Sequence, residues 1–209
     1  MSFYIVEGCN GSGKTTLIKN FAAKGYKTLS SPNGTPLAQM LRPACRGTEP
    51  WEDINKTVQF LLFSAARLDE YVRCVEGVNE PVIADRWWTS TFVYQCVLQG
   101  IPLQFLEYTM HHQEKIDGVI LLYGDPEVLV ERVMAEREKN PVHGMCTWTK
   151  EKSTILRLAE IYERELPIYL EKRSIPCFRI DATKMSTNEV FEKSKLIVDR
   201  KTMEFLFLN

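Results

Sequence analysis

The densest cluster of chemically useful residues is Gly8-Cys9-Asn10-Gly11-Ser12-Gly13-Lys14-Thr15-Thr16, set between the apolar run Tyr4-Ile5-Val6 and Leu17-Ile18. Glycines at 8 and 13 free the backbone to curl until successive N–H groups converge, and a helix opening there adds the positive end of its dipole. That cradle suits phosphate oxygens. Lys14 supplies a compact positive charge for the β and γ phosphates of a nucleoside triphosphate, and the Thr15 hydroxyl stands where a Mg²⁺ ligand is needed. Asp85 follows the apolar run 82–84 and is suited to hold Mg²⁺ or its waters. Beside it, Arg86 offers a planar guanidinium that can fork onto phosphate oxygens.

Two further groupings are less specific. Phe63 and Arg67 lie four apart and share a helical face, so ring and guanidinium could hold a planar base by stacking and an edge contact. Equally, Phe63 could be ordinary core and Arg67 a solvated charge. Thr91, Tyr94 and Gln95 fall at i, i+3 and i+4, a face suited to a sugar and a base edge, or simply a half-buried polar stripe.

Positioning these residues requires a scaffold, and the hydrophobic pattern specifies one. Short apolar runs at 3–6, 27–29, 82–84, 119–122 and 177–180 read as strands. They alternate with helical patterns at 14–24, 51–76, 89–99, 103–115, 126–137, 151–173 and 187–200. Non-alternating, β-branched strands separated by helices predict an α/β chain with a five-stranded parallel sheet covered on both faces. Ligands in such sheets collect at the carboxyl ends of the strands, where the glycine-rich loop, Asp85 and Asp181 fall. The polar stretch 138–150, with Pro141 and Gly144 between two helices, fits a short lid or a plain surface loop. With 209 residues and 44% hydrophobic content the chain is expected to form one domain, 1–209.

Composition excludes several classes. A formal net charge of −1 offers no strongly basic face, so nucleic acid is not an expected partner. The six cysteines lack C-x-x-C spacing, and His111 and His112 are adjacent, a poor arrangement for a metal. Reduced thiols, no visible leader and no apolar run of membrane-spanning length predict a soluble, cytoplasmic protein without a membrane partner. Guanine-nucleotide switches need N-K-x-D and D-x-x-G; Asn55-Lys56 runs into Thr57-Val58, and D-x-x-G is missing from the sequence. The stretch 203–208 is apolar for a tail and could dock on the body or on a partner.

Taken in order, these motifs resemble the thymidylate kinase family over most of the chain. Its E-G-x-D-x-x-G-K-[ST]-T loop is similar to Glu7 through Thr16, and its P-G-G-T-P-L segment with a downstream Arg to Pro32 through Leu37 and Arg42. Its L-L-F-x-A-x-R helix resembles Leu61 to Arg67, and its D-R-Y-x-x-S-x-x-x-Y-Q stretch Asp85 through Gln95. Asp125-Pro126-Glu127 and Ile180-Asp181-Ala182 complete the set. The resemblance implies a three-layer P-loop kinase fold and transfer of the ATP γ-phosphoryl group to dTMP, with Mg²⁺. It implies ATP contacts from residues 8–16 (Gly8, Cys9, Asn10, Gly11, Ser12, Gly13, Lys14, Thr15, Thr16), from Arg132, and from Ala182 and Thr183 near adenine. It also implies acceptor contacts from Asn10, Arg42, Phe63, Arg67, Arg86, Thr91, Tyr94 and Gln95, with Phe63 stacked on thymine and Arg42 and Arg86 on its phosphate. Catalysis would rest on Lys14, Arg86, Asp85 and a lid-side arginine, Arg137, with Arg132 about one helical turn earlier, since Gly11 stands where some members carry that charge in the loop. A homodimer is the usual assembly.

Departures from the family pattern are Asn10 for Asp, Ser30-Ser31 for Arg-Glu, Trp87 for Tyr, Tyr123 for Asp, and a lid without D-R-x-E. They bear on acceptor choice and lid mechanics more than on phosphoryl transfer. Alternatives are a broader deoxynucleoside monophosphate kinase, a deoxynucleoside kinase, and, more remotely, a non-catalytic nucleotide-binding switch or scaffold.

Overall fold

Every position of the strand Phe3–Gly8 (β1) is buried, as a strand flanked by neighbours and covered on both faces must be. The computed structural model describes residues 2–48, 50–110, 115–139 and 151–207. β1 lies at the centre of a five-stranded sheet with Lys27–Ser30 (β2), Val82–Asp85 (β3), Gly118–Tyr123 (β4) and Cys177–Asp181 (β5), in the order β2-β3-β1-β4-β5. All four pairings are parallel, and β1 aligns Val6 with Asp85 on one side and with Ile120 on the other. Each strand runs one or two residues past its predicted carboxyl end. Asp85 and Asp181 therefore close β3 and β5 instead of following them.

Alternation along β1 divides the core. Phe3 and Ile5 join the apolar layer made with the helices Lys56–Glu70 (α3), Leu103–Met110 (α5), Lys152–Glu160 (α7) and Leu166–Lys172 (α8). Tyr4 and Val6 point the other way, onto Leu17 and Phe21 of Lys14–Ala23 (α1) and Val190 and Phe191 of Thr187–Phe207 (α9). Each such buried side chain is worth roughly 1.5–3 kcal/mol. The α/β architecture, parallel and covered on both faces, is the one the sequence predicts.

Three details differ from expectation. Pro36–Arg46 (α2) is a helix where none was read: Thr35 caps it through Oγ1, which accepts the Ala38 N–H at 3.1 Å, and Pro36 opens it. Pro43 inside α2 masked the pattern. Next, α3 starts at Lys56 and not at 51, because the Asn55 side chain accepts the Thr57 N–H at 2.9 Å. Finally, the long helices contain π turns. One, Tyr71–Val75, extends α3; another, Phe92–Leu98, extends Trp88–Thr91 (α4); the third, Ile161–Glu165, joins α7 to α8. The last ends two residues before Pro167, whose missing N–H and bulky ring disrupt a regular i→i−4 ladder. Pro126–Lys139 (α6) begins as read, with the Asp125 carboxylate accepting the Glu127 N–H at 2.9 Å.

The predicted lid falls mostly outside the described residues, from 140 to 150, as do His111, His112, Cys146 and Leu208. No helix among the described residues is long and apolar enough to cross a membrane.

Candidate active site

The turn from β1 into α1 forms the cradle expected of residues 8–16. At Gly8 a Cβ would sit 2.2 Å from the Leu122 carbonyl oxygen, so only glycine lets the loop approach β4 this closely. Gly13 takes the left-handed conformation (φ 89°) that launches α1. Lys14 is buried and folds back onto the loop, donating to the Cys9 carbonyl at 2.8 Å. Burial, and secondarily the Arg86 charge, lower its pKa to about 8. Thr15 and Thr16 are exposed on the first turn of α1, whose first turn carries no acid to repel an anion.

Beside the loop lies a cavity of about 220 Å³. Its lining includes every residue expected to contact an acceptor: Asn10, Arg42, Phe63, Arg67, Arg86, Thr91, Tyr94 and Gln95. They come from the loop, α2, α3, the end of β3 and the α4 segment with its π turn. Arg67 is neither solvated nor loose; it is 3% exposed and donates to Thr91 Oγ1 and, at 3.3 Å, to Ser64 Oγ. Arg42 donates to the Pro32 carbonyl at 2.8 Å. Arg86 adopts a left-handed backbone (φ 69°), unusual for a residue with a side chain, directly after Asp85. Its guanidinium donates to Asn10 Oδ1 and to the Tyr162 hydroxyl, both at 2.8 Å.

Sequence reasoning missed several participants. Arg46, one turn beyond Arg42, lines the cavity together with Ser31, Pro32, Trp87 and Ser90. Two fully buried carboxylates organise its walls. Glu7, inside β1, accepts from Thr89 Oγ1 and Ser90 Oγ at 2.7 Å each and lies 3.5 Å from Arg86. Glu70, at the end of α3, accepts from Ser31 Oγ at 2.5 Å and from the N–H groups of Asn33 and Gly34 at 2.7 and 2.6 Å. The signal for Glu7 was available: a carboxylate within a buried strand needs strong partners. Glu70 ends an amphipathic helix and carried no comparable signal.

Asp85 Oδ1 is buried without a hydrogen-bond partner among the described residues. A carboxyl oxygen left so is suited to a cation or its waters. No group of three His, Cys, Asp or Glu that could cage a metal exists among the described residues. Mg²⁺ held by one carboxylate, a hydroxyl and phosphates needs no such cage, so Asp85 and Thr15 fit it.

On the far side of the loop, Arg132 of α6 donates to the Ala182 carbonyl at 3.2 Å and reaches the Gly11 carbonyl at 3.5 Å. Thr183 donates to Asp181 Oδ1 at 2.7 Å and accepts the Asp125 N–H at 3.1 Å. Arg132, Ala182 and Thr183 thus gather at one edge of the loop. Arg137 does not join them. Five residues further on, it projects about 140° around the helix, where it is half-buried and 3.8 Å from Met134 Sδ.

Comparison with known proteins agrees with this geometry. The family model described as thymidylate kinase matches residues 6–177. The thymidylate kinase of Chlamydia felis is 31% identical over 121 residues, which make up 53% of this chain and 57% of that protein. The chain thus spans little more than half the length of that relative. A probable thymidylate kinase of Methanococcus maripaludis (strain C6) is 30% identical over 195 residues, 91% of this chain and 92% of that protein. The solved thymidylate kinase of Ehrlichia chaffeensis superimposes with a TM-score of 0.67 at 19% identity, covering 95% of this chain and 98% of that one. At that identity the likeness speaks for the fold.

Proposed function

The chain belongs to the thymidylate kinase family, and from that premise we propose that it transfers the γ-phosphoryl group of ATP to dTMP, yielding ADP and dTDP. One observation carries the reading. A cavity lined by an aromatic ring, polar base-edge groups and the cations Arg42, Arg46 and Arg86 opens beside a triphosphate cradle. The cation cluster favours a phosphorylated acceptor over a nucleoside.

In this reading, residues 8–16 bind the triphosphate of ATP, with Arg132, Ala182 and Thr183 toward its adenine. Phe63 stacks on the acceptor base, Arg67, Thr91 and Gln95 meet its edge, and Tyr94 crowds the sugar. Arg42 and Arg86 take the acceptor phosphate. Thr15 and Asp85 would hold Mg²⁺, which supplies charge neutralisation between the β and γ phosphates when bound. An acceptor phosphate oxygen attacks the γ phosphorus as the bond to the bridging oxygen of ADP breaks. That oxygen is already ionised, so a strong general base is not required. The work is to hold two polyanions in line, with Lys14 and Arg86 offsetting their repulsion; Arg137, turned toward Met134, is left out of this role.

The assembly we propose is a homodimer, supported by Val58, Leu61, Leu68 and Val72, apolar side chains about half exposed on α3 and its π turn at spacings of three, seven and four residues. Cytoplasmic residence is supported by the free thiols of the described cysteines. The deciding experiment is ADP release with ATP and Mg²⁺ across dTMP, dUMP, dCMP, dGMP and thymidine. Turnover should be highest with dTMP. Preference for thymidine would overturn the reading in favour of a nucleoside kinase, and comparable rates with several monophosphates would broaden it.

A further inference from the structure

Arg86 is held by more partners than a phosphate-binding arginine needs for orientation alone, and one of them comes from far along the chain. Tyr162 lies on the π turn Ile161–Glu165, only 1% exposed, 76 residues beyond Arg86. Its hydroxyl accepts from Arg86 Nη1 at 2.8 Å and lies 3.3 Å from Ser90 Oγ. Ser90 commits its own proton to Glu7 Oε1 at 2.7 Å, so the Tyr162 O–H is the donor toward Ser90. The result is a directed relay, Tyr162 to Ser90 to Glu7, that ends on a buried carboxylate. Each member polarises the next. Burial and the Glu7 charge hold the Tyr162 pKa well above its ordinary value, so the phenol keeps its proton.

The donor count gives this relay a consequence. A guanidinium has five N–H groups. Nη1 is occupied by Ser90 at 3.1 Å and Tyr162, and one Nη2 hydrogen by Asn10. Among the described residues, the N–H of Nε and the second hydrogen of Nη2 are left, and these adjacent donors form the planar fork that fits two oxygens of one phosphate. We propose that Tyr162 is a positioning residue: its hydroxyl occupies Nη1 and so turns the Nε–Nη2 edge of Arg86 toward the acceptor phosphate. Because the π turn continues α7, Tyr162 also ties that helix to the acceptor site. This rests on the monophosphate-kinase reading for its kinetic consequence, but not for its geometry.

The test is Tyr162→Phe, which keeps the ring and its packing against Tyr94 (centroids 6.3 Å apart) and removes only the hydroxyl. The KM for dTMP should rise about ten-fold, the effect of one lost hydrogen bond to a charged group. The KM for ATP should stay within two-fold and kcat within about three-fold. Independently of any substrate, phenylglyoxal should modify Arg86 at least three-fold faster in the variant, with Arg42 unchanged, as mapped by mass spectrometry. Unchanged Arg86 labelling overturns the inference. Faster labelling without dTMP turnover by the unaltered protein leaves Tyr162 as the orienting group and defeats the dTMP reading instead. Unchanged labelling together with an equal rise in both KM values would mark a general structural defect and also overturns it.

Discussion

The triphosphate cradle and the acceptor cavity sit side by side but are built in opposite ways. The cradle is nine consecutive residues, 8–16, whose backbone does most of the binding, and its only buried charge is Lys14. The cavity draws side chains from residue 10 to residue 95 and is held from behind by Glu7, Glu70 and Tyr162. A contiguous backbone device tolerates change around it and fails abruptly at its one charged residue. A dispersed side-chain device should fail gradually and lose stability along with affinity.

Variants can break or sharpen this contrast. Lys14→Ala should lower kcat by about 10³ while the melting temperature holds or rises, because a buried charge is removed from a group that stabilises anions only when they are bound. A comparable loss of stability would erase the distinction. Glu7→Gln should do the reverse. Breaking its pairing with Arg86 leaves a guanidinium under-compensated, at a cost of about 3 kcal/mol in urea unfolding. If unfolding moves by less than about 1 kcal/mol, Glu7 does not hold the cavity together. Phe63→Ala should weaken acceptor binding about ten-fold, the usual worth of one base–aromatic stack, and leave the ATP KM unchanged. An altered ATP KM would mean that the two halves are not separable at this wall.

The smallest expected effect is protonic. Lys14 titrates at about 8 in the free protein, against 10.5 when unburied, so the unfolded chain binds the extra proton between those values. Its contribution to stability therefore rises with pH across that window. Triphosphate binding should restore the charge, with uptake of more than about half a proton at pH 8.5, read by calorimetry in two buffers of different ionisation enthalpy. Lys14→Ala should abolish that uptake. Its persistence in the variant would place the titrating group elsewhere.

Legibility followed the same division. The inner strands were readable because the runs 3–6, 82–84 and 119–122 are short and fully apolar, and burial on both faces demands that composition, whereas the edge strands β2 and β5 carry Lys27 and Arg179 and are only partly buried. The loop was readable because its function resides in glycines and one lysine at fixed spacing. Phe63 and Arg67 could be paired from helical spacing, yet spacing alone did not say whether they faced solvent, core or ligand. The helix α2 was hidden by Pro43, and the π turns by the absence of any residue pattern that demands an i→i+5 bond. Of these, only the turn before Pro167 has a sequence cause.

What the chain order by itself determined was the parallel sheet, the phosphate cradle and the shared helical faces of Phe63 with Arg67 and of Thr91 with Tyr94 and Gln95, since these depend on local period, local φ freedom and residue type; acceptor roles for Asn10 and Arg42 came only from the family resemblance. Only the folded structure decided that Arg67 is locked to Thr91, that Arg132 and Arg137 part company on α6, and that Glu7, Glu70 and Tyr162 stand behind the cavity. Those are choices among partners brought together from distant parts of the chain. A buried polar group takes whichever partner the packing places within about 3 Å, and no local pattern encodes that distance.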